Sequence, residues 1–386
     1  MSYSKETIEK IFADVAKRIN ISDKLFNDAD KEYKALGSWI NKKTEEEMPG
    51  CVVQIYPQGS FALATVIKPI SDEDDYDLDL VCEVNDATDF TARELKNKVV
   101  KPWLKGYKRT KTEIEEKRRC WHVEYEELPN FHMDVIPAVP KNLVEGTQIK
   151  ITDKDEEQNT YSYIGSNPKG YVKWFLQQCN KSGSKTQRRV AIQDMAIQAP
   201  IKQTKQKSKL QQAVQLLKRH RDVMFEDDAD NKPISIIVTT LAAQLYNGED
   251  SIIETLLGFV NNVETYLFST KKENGNFSIP NPSYAGEDFA DKWGEHPERQ
   301  RAFFVWIRQL KEDFNFEKLS MMDRVMMGKH IKKMFGSNTG NALFTQMGLM
   351  EAEAVRKKEL KVDTKTGNIS AFGMVAVPPI HHFGKV

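Results

Sequence analysis

A mixed α/β fold is predicted: a small sheet with one acidic face, enclosed by amphipathic helices. Short apolar segments of strand character cluster between residues 51 and 138, and helical apolar stripes run before and after them. Between the first two strand segments stands a Gly-Ser turn, followed by an alternating Asp-x-Asp segment.

In chain order, Ile8, Ile11, Phe12, Val15 and Ile19 keep helical spacing. After a break at Asn20-Ile21-Ser22, the stripe resumes with Leu25, Phe26, Ala29, Tyr33, Leu36 and Ile40, so residues 4–46 read as interrupted helix. Cys51 to Tyr56 is a short apolar strand, and Gln58-Gly59-Ser60 is a tight turn opening a helix at Phe61. Glycine lets a phosphate approach the backbone, and a helix start offers unpaired N–H groups to an anion. Tyr76 to Val81 alternates with period two. As a strand it buries Tyr76, Leu78 and Leu80 and sets Asp77 and Asp79 on the other face, about 7 Å apart. Such carboxylates repel each other unless a cation lies between them, so turn and strand together suggest a nucleoside triphosphate with magnesium. Asp-x-Asp alone describes a solvated edge strand equally well; the preceding Gly-Ser turn favours the site.

Cys120 to Glu126 and Phe131 to Ala138 read as a hairpin turning at Leu128-Pro129-Asn130. Phe131, Met133 and Val135 share one face; His132, Asp134 and Ile136 share the other. Asp134 is thus a lone acid in an apolar strand, which calls for a salt bridge or a ligated cation.

Gly59-Ser60, Asp77/Asp79 and Asp134, in that order, resemble the polymerase-beta-like nucleotidyltransferase superfamily. With the N-terminal helices, the Lys218 helix, the Pro233–Tyr246 helix and NPSYAGEDFADKW (281–293), the chain looks like the bacterial cGAS/DncV-like nucleotidyltransferases (CD-NTases) over roughly residues 1 to 345. The resemblance implies an α/β (α+β) nucleotidyltransferase core sheet, a long N-terminal brace helix and a helical C-terminal lobe. It also implies a synthase of cyclic di- or trinucleotides from nucleoside triphosphates (ATP first among them, with GTP or others open), signalling to an effector in anti-phage defence of the CBASS type. Asp77, Asp79 and Asp134 are the expected catalytic and metal residues for two magnesium ions, or manganese. Gln58, Gly59, Ser60, Lys218 and Ser235 are the expected nucleotide contacts. One departure is Ala64-Thr65, where many relatives have Gly-Thr.

The expected division is a core with its brace over 1–205, a helical lobe over 206–350 and a flexible tail over 351–386. Residues 141–207 are hard to read: Thr160 to Pro168 is turn-rich, while Gly170 to Cys179 reads as a short helix whose Tyr171, Trp174 and Phe175 pack or stack on a base. Ser208 to Met224 is an amphipathic helix with Leu210, Val214, Leu217 and Met224 inward. On it Lys218 is either the triphosphate contact or a solvated lysine, and Ser235 on the next helix either touches phosphate or caps. Further helices fill 234–270 and 298–335, joined by a loop over 274–293.

Composition narrows the class. The 386 residues carry 56 basic and 56 acidic side chains, so no global basic field points to a nucleic-acid polymer. The charge is segregated: residues 72–89 hold nine acids and no base, 181–221 eleven Lys/Arg and one acid, as a cleft for magnesium and triphosphate requires. Four cysteines without C-x-x-C, no signal-peptide pattern and no long apolar run lead us to expect a cytoplasmic protein off the membrane. There is no zinc-ribbon pattern, so neither zinc nor a nucleic-acid polymer is expected. Two other classes compete: a nucleotidyltransferase acting on an RNA 3′ end or a protein hydroxyl, and a non-catalytic nucleotide-binding scaffold.

Overall fold

Serine residues open both N-terminal helices. Ser4 accepts from the Thr7 amide at the start of helix Lys5–Ile19, and Ser22 from the Leu25 amide at the start of Asp23–Glu47, so the chain breaks at Asn20. The two helices serve different cores. Ile8, Phe12 and Val15 pack with Leu210, Val214, Leu241, Ile253 and Trp306 of the C-terminal helices. Phe26, Leu36 and Ile40 pack beneath the sheet with Leu78, Leu80, Met133 and Val135.

The computed structural model describes residues 3–71, 76–107, 109–110, 114–126, 128, 130–142, 146–182, 207–358, 361–362, 369–370 and 375–377. Pro129, most of the basic segment, the acidic run 72–75 and the last residues, with Pro378-Pro379, lie outside these. Strands β1 (Val53–Pro57), β2 (Tyr76–Val84), β3 (Glu115–Glu116), β4 (Trp121–Glu124), β5 (Phe131–Pro140), β6 (Ile149–Asp155) and β7 (Thr160–Ser166) form one sheet. Its order is β1-β2-β5-β4-β3, with β6 on β5 and β7 on β6. β2 and β5 are parallel, the other pairs antiparallel.

The expected helix at Phe61 is a single turn, Gly59–Ala62, beginning two residues earlier. Thr160–Ser166, read as turn-rich, is the edge strand β7. Helix Pro168–Cys179 follows it, and Tyr171 and Phe175 are buried, with the Tyr171 hydroxyl 2.8 Å from Thr240 Oγ1. The helical lobe comprises Lys209–Met224, Ser235–Leu245, Ile252–Ser269, Pro297–Asp313, Phe316–Met321, Arg324–Phe335 and Ser337–Arg356. Beyond it, residues 361–362, 369–370 and 375–376 pair in a three-stranded sheet. All four cysteines are free thiols, and no described helix is long and apolar enough to cross a membrane.

Candidate active site

Strand register assembles the acidic side chains. Asp77 lies opposite His132 and Asp79 opposite Asp134 in the β2–β5 pairing; Glu124 and His122 continue the same two rows on β4. Directly paired residues share a face, so these six polar side chains cover one side of the sheet, while Leu78, Leu80, Met133, Val135 and Val123 are buried on the other. Each apolar side chain so buried stabilises by about 1.5–3 kcal/mol.

The Gly-Ser turn sits directly on the second acid. The Gln58 amide donates to the Asp79 carbonyl oxygen at 2.9 Å. Gly59 has φ +59°, a backbone shape that favours glycine, and a Cβ there would push aside the Asp79 carboxylate at Oδ2. The Asp79 carboxyl is pushed up to about 8 by burial, then by Asp77 and Asp134, with Lys218 acting the other way. Among the described residues neither Asp77 nor Asp79 has a side-chain hydrogen bond or ion pair. Asp134 stands beside Asp79 and its Oδ1 is 2.9 Å from His122 Nδ1, which satisfies part of that lone acid. Asp77, Asp79 and Asp134 are carboxylates of one sheet face, the donor type a hard divalent cation takes, with Asp79 raised chiefly by burial and then by the other two. They are not gathered as a ready set, since Asp134 does not line the cleft that Asp77 and Asp79 share.

Facing them is helix Lys209–Met224. It is buried on nearly all sides rather than along one stripe, and Lys218 is only 6 % exposed. The solvated-lysine reading therefore fails. Lys218 Nζ donates to the Thr65 carbonyl oxygen at 3.2 Å, and burial, then Arg221, lowers its ammonium to about 8. Gln211 and Gln215 of the same helix donate to the carbonyl oxygens of Leu63 and Val66, at 2.9 and 2.6 Å, and Arg219 to those of Lys68 and Pro69. This row of side chains stitches the loop after Ser60 to the helix; an isolated sequence gives no sign of it.

Ser235 is the first residue of its helix, whose N-cap is Ile234, so Ser235 is not a cap. Its Oγ accepts from Arg221 Nη1 at 2.9 Å, while the same guanidinium nitrogen donates to the Pro233 carbonyl oxygen at 3.0 Å. Arg221, which our reading of the sequence left without a role, thus fixes the start of that helix.

Gln58, Gly59, Ser60, Asp77, Asp79, Lys218 and Ser235 line one cleft of about 840 Å³. It extends past Ile136, Ile151, Ile164 and Tyr171 to Asn281 and Glu287. An adjoining recess of about 240 Å³ shares Ser60, Asp77, Lys218 and Ser235 and adds Arg221 and Lys232. Acids on one wall, bases on the other and an apolar extension between them suit a cation, a polyphosphate and a base.

Comparison with known proteins shows the family and the fold. Residues 7–180 match the family model described as "Second Messenger Oligonucleotide or Dinucleotide Synthetase domain". The chain is 30 % identical to a c-di-GMP synthase of Roseivirga ehrenbergii over 376 residues, covering 92 % of this chain and 96 % of that protein. The structure of CdnG of Bradyrhizobium diazoefficiens in complex with GTP aligns with a TM-score of 0.69 at 20 % identity, covering 88 % of this chain and 99 % of that one. Vibrio cholerae DncV with a nonhydrolysable GTP aligns with a TM-score of 0.55 at 15 % identity, covering 86 % and 88 %. The chain belongs to the bacterial cGAS/DncV-like nucleotidyltransferases and is a synthase of cyclic oligonucleotides.

Proposed function

We propose that this enzyme joins two molecules of GTP into cyclic di-GMP in the cytoplasm, as a signal to an effector in anti-phage defence. The observation that carries the choice of base is the near full-length similarity to a protein named c-di-GMP synthase. GTP is among the substrates that the family resemblance left open beside ATP.

In this reading the Gln58-Gly59-Ser60 turn, Lys218 and Ser235 hold the donor triphosphate, and Asp77, Asp79 and Asp134 hold two magnesium ions, or manganese. When bound, such ions lower the pKa of the attacking hydroxyl and offset charge building on the phosphate. Lys218 offers a cation beside the leaving pyrophosphate, and an incoming triphosphate supplies the negative charge that keeps it protonated. The acceptor ribose hydroxyl attacks the donor α-phosphorus; a new P–O bond forms as the bond to pyrophosphate breaks, and the hydroxyl proton is released. A second transfer in the same cleft closes the ring, with two pyrophosphates released in all.

The test is incubation of purified protein and magnesium with labelled GTP, ATP, CTP or UTP, and no polymer, followed by phosphatase treatment and mass spectrometry. A phosphatase-resistant product of cyclic di-GMP mass from GTP alone is expected. A product that requires ATP corrects the base assignment, labelling that requires a polymer favours transfer to a macromolecule, and no turnover favours the scaffold.

A further inference from the structure

The two rows of polar residues do not end at the three catalytic acids. Next to Asp77 stands His132 and beyond Asp134 stands His122, imidazoles that magnesium does not favour but transition metals do. The His122 and His132 rings lie tilted by 46° to each other with centroids 4.2 Å apart. One ligand atom from each of His122, His132 and Asp134 lies within 4.8 Å of the others. In a tetrahedral site with bonds of about 2.0–2.1 Å the ligand atoms stand about 3.3 Å apart. A modest turn of the imidazoles closes the difference, with the backbone held by neighbouring strands. Glu124 Oε1, 3.8 Å from His122 Nε2, flanks the group with a further carboxylate. The His122 and Asp134 side chains are 16 % and 25 % exposed, so an ion has a path in and an open position for water.

We propose that His122, His132 and Asp134 form a site for a divalent transition-metal cation of the zinc class, adjoining the magnesium acids and sharing Asp134 with them. Although no zinc-ribbon pattern exists in the sequence, two imidazoles and a carboxylate on adjacent strands make a donor set of a different kind. Resting on the proposed function, one consequence follows: an ion here draws on Asp134 and slows transfer, leaving Asp77 and Asp79 free for the donor's cation.

The experiment needs no turnover. Zinc is titrated by calorimetry into the full-length protein saturated with magnesium, without nucleotide. Wild type is expected to bind one ion, and His122→Gln or His132→Gln to weaken it by more than about tenfold, a loss that even outer-sphere mutations can cause. Cobalt in place of zinc is expected to show visible absorption in wild type that zinc abolishes. Should the variants fail to fold, X-ray absorption on zinc-loaded wild type decides, with two imidazole nitrogens expected at the metal. Zinc bound equally by wild type and folded variants, or a metal without imidazole, would overturn the site. Zinc binding without cyclase activity refutes only the proposed function; cyclase activity without zinc binding refutes only this site.

Discussion

The two walls of the cleft treat their charges differently. Helix Lys209–Met224 buries Lys218, Arg219, His220 and Arg221 in succession. Three of these are compensated within the protein. Arg219 donates to two carbonyl oxygens and Arg221 to Asp222, Pro233 and Ser235. His220 Nδ1 accepts from the Trp306 indole at 3.1 Å, which leaves Nε2–H to donate to Asp313 at 3.1 Å. Lys218, at the cleft, has a single carbonyl oxygen. On the opposite wall Asp77 and Asp79 have no such partner among the described residues. Burial therefore moves Asp79 up and Lys218 down, each to about 8. Compensated charges hold the fold together, and uncompensated ones mark where a ligand carrying both signs completes the structure.

Breaking the acidic wall has the largest expected effect. Asp77→Asn combined with Asp79→Asn should lower cyclic product formation by about 10³-fold or more, roughly 4 kcal/mol of barrier. The protein should stay folded, since the pair repel in the empty site; wild-type turnover in the double variant would remove both acids from the chemistry. Asp134→Asn separates the roles within that wall. Its single-turnover rate should fall by about 10²-fold or more, as for loss of hydroxyl activation. Calorimetric affinity for a nonhydrolysable GTP with magnesium should change much less. Affinity lost together with activity would refute the division of labour.

On the basic wall, Lys218→Met keeps the length and removes the charge. Donor-analogue affinity should fall about 10- to 100-fold, the worth of a hydrogen bond to a charged group. Arg219→Met, by contrast, should act on melting temperature rather than affinity. Equal affinity in Lys218→Met and wild type would make this lysine a bystander. The smallest effect lies in the loop between the walls. Ala64 has φ +54°, a left-handed conformation that costs an L-residue about 1–2 kcal/mol. Ala64 thus adopts a backbone shape that glycine takes without that cost. Ala64→Gly should raise unfolding free energy by about 0.5–1 kcal/mol after the added chain entropy, measured in urea; a decrease would mean the strain is absent.

What could be read from the sequence was local. The period-two alternation of β2 exposed Asp77 and Asp79, and the interrupted stripe of residues 4–46 foretold two helices and their break. Long-range pairing was hidden. The register of Asp79 beside Asp134 joins strands far apart in the chain. The burial of Lys218 and Arg219 depends on carbonyl groups about 150 residues away. Strand β7 was missed because Thr160, Ser162, Gly165 and Ser166 have turn composition. Gly165 is explained by packing, as any Cβ there would collide with the Tyr284 ring, part of a loop over 100 residues on.

The central claim is that the acidic wall is destabilising when empty and relieved by a bound cation and nucleotide. Because Asp79 is raised in the folded state, its stabilising protonated form is fully present below the ordinary carboxylate range. That contribution is lost as pH rises towards about 8. The direct test is melting temperature against pH for wild type and Asp79→Asn, each with and without magnesium and a GTP analogue. Without ligand at about pH 8.5 the variant should melt higher, and the gap should narrow as pH falls. With ligand, wild type should gain more at high pH than at low, and the variant little. A variant that melts lower than wild type when empty, yet gains as much from ligand, would contradict the account.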